Sequence, residues 1–136
     1  MRISCRGRYA TRALVEMALH HGDKPLSLKI IEENQGISKK YLTQLMSGLK
    51  VAGIVIVFRG KQGGYKLAHD PSDITLSDIL SAVEGNMSIV DCVTNPDFCD
   101  RSDECMLLST WTELSQVIKD YLKSVTLADI IKKGNI

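Results

Sequence analysis

With 136 residues, of which 44% are hydrophobic, the chain is long enough for one modest domain and an accessory element. No apolar run approaches the roughly 18 residues of a membrane span, and the basic start lacks the apolar stretch and cleavage site of a signal peptide, so we expect a cytoplasmic protein. Residues 1–66 hold 12 basic and 4 acidic residues, a net +8, whereas residues 67–136 hold 5 and 12, a net −7. This asymmetry predicts a basic head that binds a polyanion; a chance imbalance of solvated surfaces is the alternative.

The first half begins with three predicted helices. One-sided apolar positions predict a helix over residues 8–21. Ser27 is a suitable N-cap for a short second helix, and Gly36 allows the tight turn that follows it. Ser38 can cap a third helix, which ends at Gly53. Two short helices joined by a glycine-containing turn form a helix-turn-helix, whose second helix can lie in the major groove of DNA.

A β-hairpin is predicted directly after these helices. The β-branched run Ile54–Phe58 and the alternating run Tyr65–Ala68 enclose a basic, glycine-rich stretch, residues 59–64. A hairpin in this position would form the wing of a winged helix-turn-helix. An ordinary glycine-rich turn with solvated charges is the alternative.

The second half is predicted to be helical apart from one stretch. Pro71 marks a hinge, and Thr75 with Asp78 fits a capping box for a helix that ends near Glu84. Residues 86–105 have no clean period. The fold class is therefore mostly α with a small β-hairpin, and the predicted parts are a winged helix-turn-helix domain (1–70), a linker helix with a cysteine-containing loop (71–105), and a dimerisation helix with a short C-terminal helix capped by Thr126 and ending near Lys132 (106–136).

The long helix of the last part carries a heptad seam. Apolar residues recur at spacings of 4, 3, 4, 3 and 4, namely Leu107, Trp111, Leu114, Ile118, Tyr121 and Val125. Such a narrow stripe is typical of pairing with a second helix, so we predict a homodimer through the Leu107–Val125 helix. Packing on its own domain is the alternative, and a thinner stripe at Leu108, Val117 and Leu122 indicates that two faces are used.

Candidate DNA contacts lie on the third helix and on the hairpin tip. Hydroxyls and amides near a helix start can bond to base edges, while lysines neutralise phosphates. A guanidinium on a thin β-tip can enter the narrow minor groove, where the negative potential is enhanced. The predicted contacts are Ser38, Lys39, Lys40, Tyr41, Thr43, Gln44 and Lys50 on the helix, and Arg59, Lys61 and Gln62 on the tip.

Three of the four cysteines are grouped in the aperiodic stretch. Cys92, Cys99 and Cys105 are separated by six and five residues, and no Cys-x2-Cys pair is present, so a zinc ribbon is a poor match. Thiolates on an irregular loop can converge on one soft metal centre, because the loop adapts its backbone to the ligand geometry. A redox pair, a zinc site and a site that has lost its metal are the alternatives.

Several short motifs give the chain a family resemblance. Arg6–Ala10, the run Gln35–Leu45, the Arg-Gly-x-x-Gly-Gly-Tyr wing that ends at Tyr65, and the pair Asp91–Cys92 resemble the Rrf-type family of bacterial winged-helix regulators, nearest its iron-sulfur and nitric-oxide sensing members. The resemblance implies a homodimer on a roughly palindromic double-stranded DNA operator. It also implies an iron-sulfur cluster, with 2Fe-2S favoured, on the three grouped cysteines.

Two positions depart from the family pattern. Thr43 stands where an iron-sulfur member has a glutamate that takes part in sequence discrimination, so the operator preference does not carry over. Leu108 stands where that member has a histidine, three residues after the third cysteine. A fourth cluster ligand would then be Glu104, Asp103 or Cys5, the last from the partner subunit.

These features predict a DNA-binding regulator whose operator affinity depends on the cluster. The signal remains open among iron-sulfur status, nitric oxide, iron and redox stress, as does the choice between activator and repressor. A metal-free regulator of the same family is the first alternative, and an iron-sulfur redox protein the second. An enzyme is not expected, because no His-Glu-x-x-His or His-x-Glu pattern occurs.

Overall fold

The computed structural model describes residues 2–134, within which seven α-helices, two short 3-10 turns and one hairpin follow each other. In chain order they are α1 (Cys5–Leu19), α2 (Leu28–Gln35), α3 (Lys39–Val51), β1 (Val55–Phe58), β2 (Gly64–Leu67), α4 (Leu76–Glu84), α5 (Asp91–Thr94), the 3-10 turns Pro96–Phe98 and Ser102–Glu104, α6 (Leu108–Ser124) and α7 (Leu127–Gly134). The mostly α fold class with a small hairpin is confirmed.

Serine caps define the starts of the first three helices. The side-chain oxygens of Ser4, Ser27 and Ser38 accept hydrogen bonds from backbone N–H groups three residues further on, at 3.3, 3.4 and 3.3 Å. Each bond satisfies one of the free donors of a first helical turn. The caps at Ser27 and Ser38 confirm the predicted starts of α2 and α3. The first helix begins at Cys5 rather than Arg8, because Ser4 caps it ahead of its apolar face, and it ends at Leu19 rather than His21.

The core lies between α1, α3 and α4, with α2 and the hairpin at its edges. Its fully buried side chains come from several elements, namely Leu14, Ile31, Leu42, Leu45, Met46, Leu49, Ile74, Ile79, Leu80 and Leu127. Burying an aliphatic side chain of this size contributes about 1.5–3 kcal/mol. Except for Ile74, which precedes α4, these residues lie on helices, and their helical spacing explains why those helices can be predicted from the sequence.

The wing hairpin is joined to the loop that precedes α2. β1 and β2 pair antiparallel, from Val55 opposite Leu67 to Phe58 opposite Gly64. Leu26 and Tyr65 exchange two backbone hydrogen bonds of 2.9 and 2.8 Å, so Leu26 extends the sheet on its other side. A Cβ atom at Gly64 would collide with the Leu26 carbonyl oxygen. Glycine at this position therefore allows the wing to lie against the helix-turn-helix.

The last helix returns to the first half of the chain. The hydroxyl and amide of Thr126 donate to Asp129 at 2.9 and 3.0 Å, and Asp129 N–H donates back to the hydroxyl at 3.1 Å. This capping box, like the predicted one at Thr75 and Asp78, fixes the start of its helix. Leu127 is fully buried in the same core as α1, and α7 runs to Gly134, beyond the predicted end near Lys132.

The predicted division of the chain at residues 70 and 105 stays a prediction. Its first and last parts include Met1, Asn135 and Ile136, which lie outside the described residues.

A long-range carboxylate contact holds α1 against α4. The Glu84 Oε1 atom accepts hydrogen bonds from Ser4 N at 2.9 Å, Ser4 Oγ at 2.6 Å and Gly7 N at 3.1 Å. A Cβ atom at Gly7 would collide with the same oxygen. The last residue of α4 therefore stabilises the N-terminus of α1, where free N–H groups favour a negative charge.

Two faces of α6 differ in exposure. Leu122 and Ser115 are buried against the rest of the chain. Leu107, Leu114, Val117 and Tyr121 are 54, 43, 64 and 57% exposed, respectively. The exposed residues take Leu107, Leu114 and Tyr121 from the predicted heptad seam and Val117 from the thinner stripe, whereas Val125 of the seam is buried. The exposed apolar face therefore coincides with neither predicted stripe, and α6 is shorter than the predicted Leu107–Val125 helix, because Leu107 is its N-cap and Val125 its C-cap.

Candidate nucleic-acid interface

Helix α3 buries one face and exposes the face that carries the predicted contacts. Leu42, Leu45, Met46 and Leu49 are buried in the core. The predicted residues on the other side are exposed, namely Ser38, Lys39, Lys40, Thr43, Gln44 and Lys50. Tyr41 differs, because it is half-buried and its ring meets the Tyr9 ring edge-on at 5.8 Å between centroids. Its contact with DNA stays a prediction, while its packing between α1 and α3 is observed.

The hydroxyl of Thr43 is engaged within the helix. It donates to the Lys39 carbonyl at 2.9 Å, so its oxygen lone pairs remain to accept from a base amino group. A neutral hydroxyl oxygen accepts more weakly than a carboxylate. That the family's operator preference does not carry over at position 43 stays a prediction.

The wing presents its polar tip to solvent. Arg59, Lys61 and Gln62 are all exposed. In residues 2–134, ion pairs within 4.0 Å join only His20 to Glu16 and Lys29 to Glu33, so the charges of the tip are not neutralised by a carboxylate. Uncompensated cations on a thin hairpin favour contact with phosphates or with a narrow minor groove.

Lys66 anchors the wing rather than extending from it. Its Nζ atom donates to the Asp23 carbonyl at 3.2 Å and lies 5.9 Å from the centroid of the Phe58 ring. The wing is thereby tied to the loop between α1 and α2.

Sequence reasoning missed one basic residue beside the tip. Lys24 lines the same open cleft as Ser27 and Ile30, at the start of α2, and as Lys61 and Gln62 of the wing. It lies in a short proline-containing loop without periodicity, so only the three-dimensional approach of the wing to α2 places it at this surface.

A buried carboxylate lies behind the helix-turn-helix. Glu16 of α1 is 5% exposed and accepts hydrogen bonds from Asn34 Nδ2 at 2.6 Å and Gln35 Nε2 at 2.7 Å. Its Oε1 atom also lies 3.0 Å from His20 Nε2. Burial alone would raise the pKa of Glu16, but the hydrogen bonds from Asn34, Gln35 and His20 outweigh it and hold that pKa below its ordinary value. The carboxylate is therefore charged at neutral pH.

The three grouped cysteines lie in a segment of short turns between α4 and α6. Cys92 is in α5 and is half-buried, whereas Cys99 and Cys105 follow the two 3-10 turns and are exposed. The buried Ser102 links the latter two, because its amide and hydroxyl donate to the Cys99 carbonyl at 3.1 and 2.8 Å and its carbonyl accepts from Cys105 N at 3.4 Å. The stretch without a sequence period thus has local order made of turns.

The donor chemistry of this segment suits an iron-sulfur centre, although the ligands are not gathered. All four cysteines are free, and three thiols on a turn-rich segment are the donors that such clusters use. Among the side chains of residues 2–134, no three His, Cys, Asp or Glu residues are grouped as ligands for a metal ion. The fourth-ligand candidates Asp103, Glu104 and Cys5 are exposed, and Cys5 Sγ accepts from Arg8 Nη2 at 3.0 Å.

The helix-turn-helix, followed by a basic hairpin that packs beside it, defines a DNA-binding protein of the winged helix-turn-helix class. Residues 3–133 match the model of the Rrf2 family, described as "Iron-dependent Transcriptional regulator", and the chain belongs to this family.

The comparisons of sequence and of structure both find proteins named IscR among the relatives. The whole chain is 38% identical to the HTH-type transcriptional regulator IscR of Photobacterium profundum, covering 78% of that protein. It is 35% identical to Protein rrf2 of Nitratidesulfovibrio vulgaris, covering 91%. Among solved structures, CymR of B. subtilis, titled the global cysteine regulator, has a TM-score of 0.80 at 34% identity with 98% of each chain covered. T. potens IscR has a TM-score of 0.75 at 38% identity, with 98% of this chain and 88% of that one covered.

The family assignment decides the class of activity. The relatives are named as transcriptional regulators, so the chain is a DNA-binding transcriptional regulator and not an enzyme, as the sequence predicts. Between residues 2 and 134, none of the helices combines the length and the apolar character needed to cross a bilayer.

Proposed function

We propose that the chain is a homodimeric regulator in the bacterial cytoplasm that binds operator DNA through α3 and the wing, with an affinity set by an iron-sulfur cluster. The observation that carries the proposal is the exposed polar face of α3, followed by an unneutralised basic wing. Ser38, Thr43 and Gln44 would bond to base edges, and the lysines of the helix would neutralise phosphates.

Arg59 is the wing residue whose removal tests the DNA contact most simply. We expect Arg59→Ala to weaken operator binding by about 1–3 kcal/mol and to reduce the salt dependence of binding by about one counterion. The measurement is a titration of duplex DNA at several salt concentrations. Lys133→Ala, which removes an exposed cation from α7, is the control and should leave the affinity nearly unchanged. An Arg59→Ala protein that binds as tightly as the wild type at every salt concentration would remove Arg59 from the interface.

The dimer is supported by the exposed face of α6. Leu114, Val117 and Tyr121 of the 17-residue helix α6 form an exposed apolar stripe with Leu107, the residue that precedes the helix. A second copy of the chain would bury this stripe, and two heads held together could bind two half-sites about one DNA turn apart, roughly 34 Å.

The cluster is supported by the donor set and by the names of the relatives. Cys92, Cys99 and Cys105 would hold it, with Glu104, Asp103 or a partner's Cys5 as fourth ligand and 2Fe-2S as the favoured type. Bound there, it would supply iron-sulfur chemistry that iron supply, nitric oxide or oxidants alter. By drawing their thiolates together, the three cysteines would fix the segment that leads into α6, and hence the spacing of the two heads. The dimer would then have two arrangements of its heads, one favoured with the cluster and one without it. The cluster changes the affinity for DNA only to the extent that it favours one of these arrangements over the other.

Anaerobic purification with iron and sulfide analysis tests the cluster. We expect the wild-type protein to carry iron and sulfide with a visible absorbance band, and Cys92→Ser to lose most of both. Operator affinity should differ between the loaded and stripped wild-type forms. Cys5→Ser tests one candidate for the fourth ligand: a variant that keeps its iron would exclude Cys5 and leave Glu104 or Asp103. Iron-free wild-type protein with one unchanging operator affinity would instead support a metal-free regulator of the same family.

A further inference from the structure

The one buried carboxylate among residues 2–134 lies behind the turn of the helix-turn-helix. Glu16 projects from α1 and is 5% exposed. Burial of a charge is costly unless hydrogen bonds compensate for the lost water. The residues that compensate here, Asn34 and Gln35, are the last two of α2 and immediately precede Gly36.

These hydrogen bonds fix where the turn begins. The amide groups of Asn34 and Gln35 donate to different oxygens of Glu16, at 2.6 Å to Oε1 and 2.7 Å to Oε2. Two bonds to one carboxylate define both the position and the rotation of the end of α2 relative to α1. Gly36 follows with a φ of 64°, and Ser38 then caps α3. The direction in which α3 leaves the turn therefore depends on this anchorage.

A second side chain of α1 strengthens the same anchorage and extends it to α3. Arg12 donates to the Gln35 side-chain oxygen at 3.1 Å and to the Gln35 backbone carbonyl, one of the carbonyls that a helix end leaves without a partner. Its guanidinium lies 5.5 Å from the centroid of the Tyr9 ring, and Tyr9 packs edge-on against Tyr41 of α3. The hydrogen bonds of Arg12 and its contact with the Tyr9 ring thus join α1, the turn and α3.

We propose that Glu16 is a positioning residue for sequence recognition, which aligns α3 with the base edges through Asn34 and Gln35. Hydrogen bonds to bases require close alignment, whereas phosphate contacts mainly add electrostatic attraction. Loss of the network should therefore reduce discrimination between sequences more than it reduces general DNA binding. This inference rests on the proposed contact between α3 and DNA.

The first test is Glu16→Gln, which keeps the shape of the side chain but removes an acceptor. Two amide donors then face one carbonyl oxygen and one NH₂ group, so one bond is lost unless the Asn34 or Gln35 amide turns over, and every bond that remains loses the strength that a charged acceptor gives it. The probes are the duplex that the wild-type protein selects from a random library and a random-sequence duplex of equal length. We expect affinity for the selected duplex to fall about tenfold, with unchanged affinity for the random duplex and an unchanged salt slope.

A swapped pair and a matched control separate positioning from stability. Combining Glu16→Gln with Gln35→Glu restores a carboxylate opposite an amide, with Arg12 still able to donate to position 35, and should recover most of the affinity for the selected duplex. Asp129→Asn removes the carboxylate of the α7 capping box, whose hydrogen bonds go to Thr126 and not to the turn. It should lower thermal stability without changing the ratio of the two affinities. Gln35→Ala, at a half-exposed position, should lower the ratio too, and it provides the test if Glu16→Gln does not fold.

The outcomes distinguish this inference from the proposed function. If the wild-type protein selects no sequence, the recognition role of α3 fails and the inference with it. A second outcome is that the wild type discriminates while Glu16→Gln keeps the same ratio of the two affinities, with or without a loss common to both duplexes. In that case α3 still recognises DNA, but Glu16 does not position it. The same ratio change in Asp129→Asn would likewise overturn the inference.

Discussion

Leu114→Asp is expected to convert the proposed dimer into monomers and to abolish tight operator binding. Leu114 is 43% exposed at the centre of the apolar face of α6, between Leu107 and Tyr121. In a dimer through this face, the new carboxylate would be buried without a partner, a cost of several kcal/mol. The dissociation constant of the dimer should rise at least about a hundredfold. Loss of the linkage between two heads should lower operator affinity by about 10²–10⁴-fold.

Analytical ultracentrifugation and DNA titration measure the two effects of Leu114→Asp separately. Thr112→Asp is the matched control, because Thr112 lies on the exposed polar side of the same helix. It adds the same charge and should leave both the dimer and the operator affinity intact. A Leu114→Asp protein that sediments as a dimer would show that the dimer interface lies elsewhere and that the exposed apolar face of α6 is ordinary surface.

Gly64→Ala should detach the wing and reduce both stability and DNA binding. The new methyl group would collide with the Leu26 carbonyl oxygen, a backbone atom that can move only by breaking the Leu26–Tyr65 pair of hydrogen bonds. Loss of two backbone hydrogen bonds, with displacement of β2, should lower the free energy of unfolding by about 2–4 kcal/mol. Operator affinity should fall at least about tenfold at a temperature where the variant is folded, because Arg59 and Lys61 would no longer be held in place.

Gly48→Ala provides the opposite result from the same chemical change. Gly48 lies inside α3, and a Cβ atom there would lie at an ordinary contact distance, 3.5 Å from the Ala82 carbonyl oxygen. Alanine in a helix interior is favoured over glycine by about 0.5–1 kcal/mol. Urea denaturation should therefore show a more stable Gly48→Ala and a less stable Gly64→Ala. Equal midpoints for the two variants would mean that the wing does not depend on the close approach at Gly64.

Local chemistry explains which parts of the fold could be predicted from the sequence. Ser27, Gly36 and Ser38 specify the helix-turn-helix through caps and a left-handed turn, all within a few residues of each other. The wing can be predicted from a β-branched run and an alternating run on either side of a glycine-rich stretch. The α4 capping box can be predicted from the spacing of Thr75 and Asp78. Each of these signals acts between neighbours in the chain.

Contacts between distant residues account for what the sequence could not predict. Glu84 meets Ser4 across 80 positions, and Glu16 meets Asn34 and Gln35 across 18 and 19. Lys24 joins the wing surface only because Leu26 pairs with Tyr65. Such pairings depend on how helices pack and leave no periodic signal. The turns around the cysteines escaped prediction for another reason: they are held by single side chains such as Ser102.

Selection of binding sites from a random duplex library tests the central claim, that a pair of winged helix-turn-helix heads recognises DNA through α3 and the wing. We expect the enriched duplexes to carry two inverted half-sites whose centres lie about one helical turn, roughly 10 base pairs, apart. The enrichment should be lost when selection is repeated with Leu114→Asp. Enrichment of a single isolated half-site, or of no shared sequence at all, would contradict the claim that two such heads recognise DNA together.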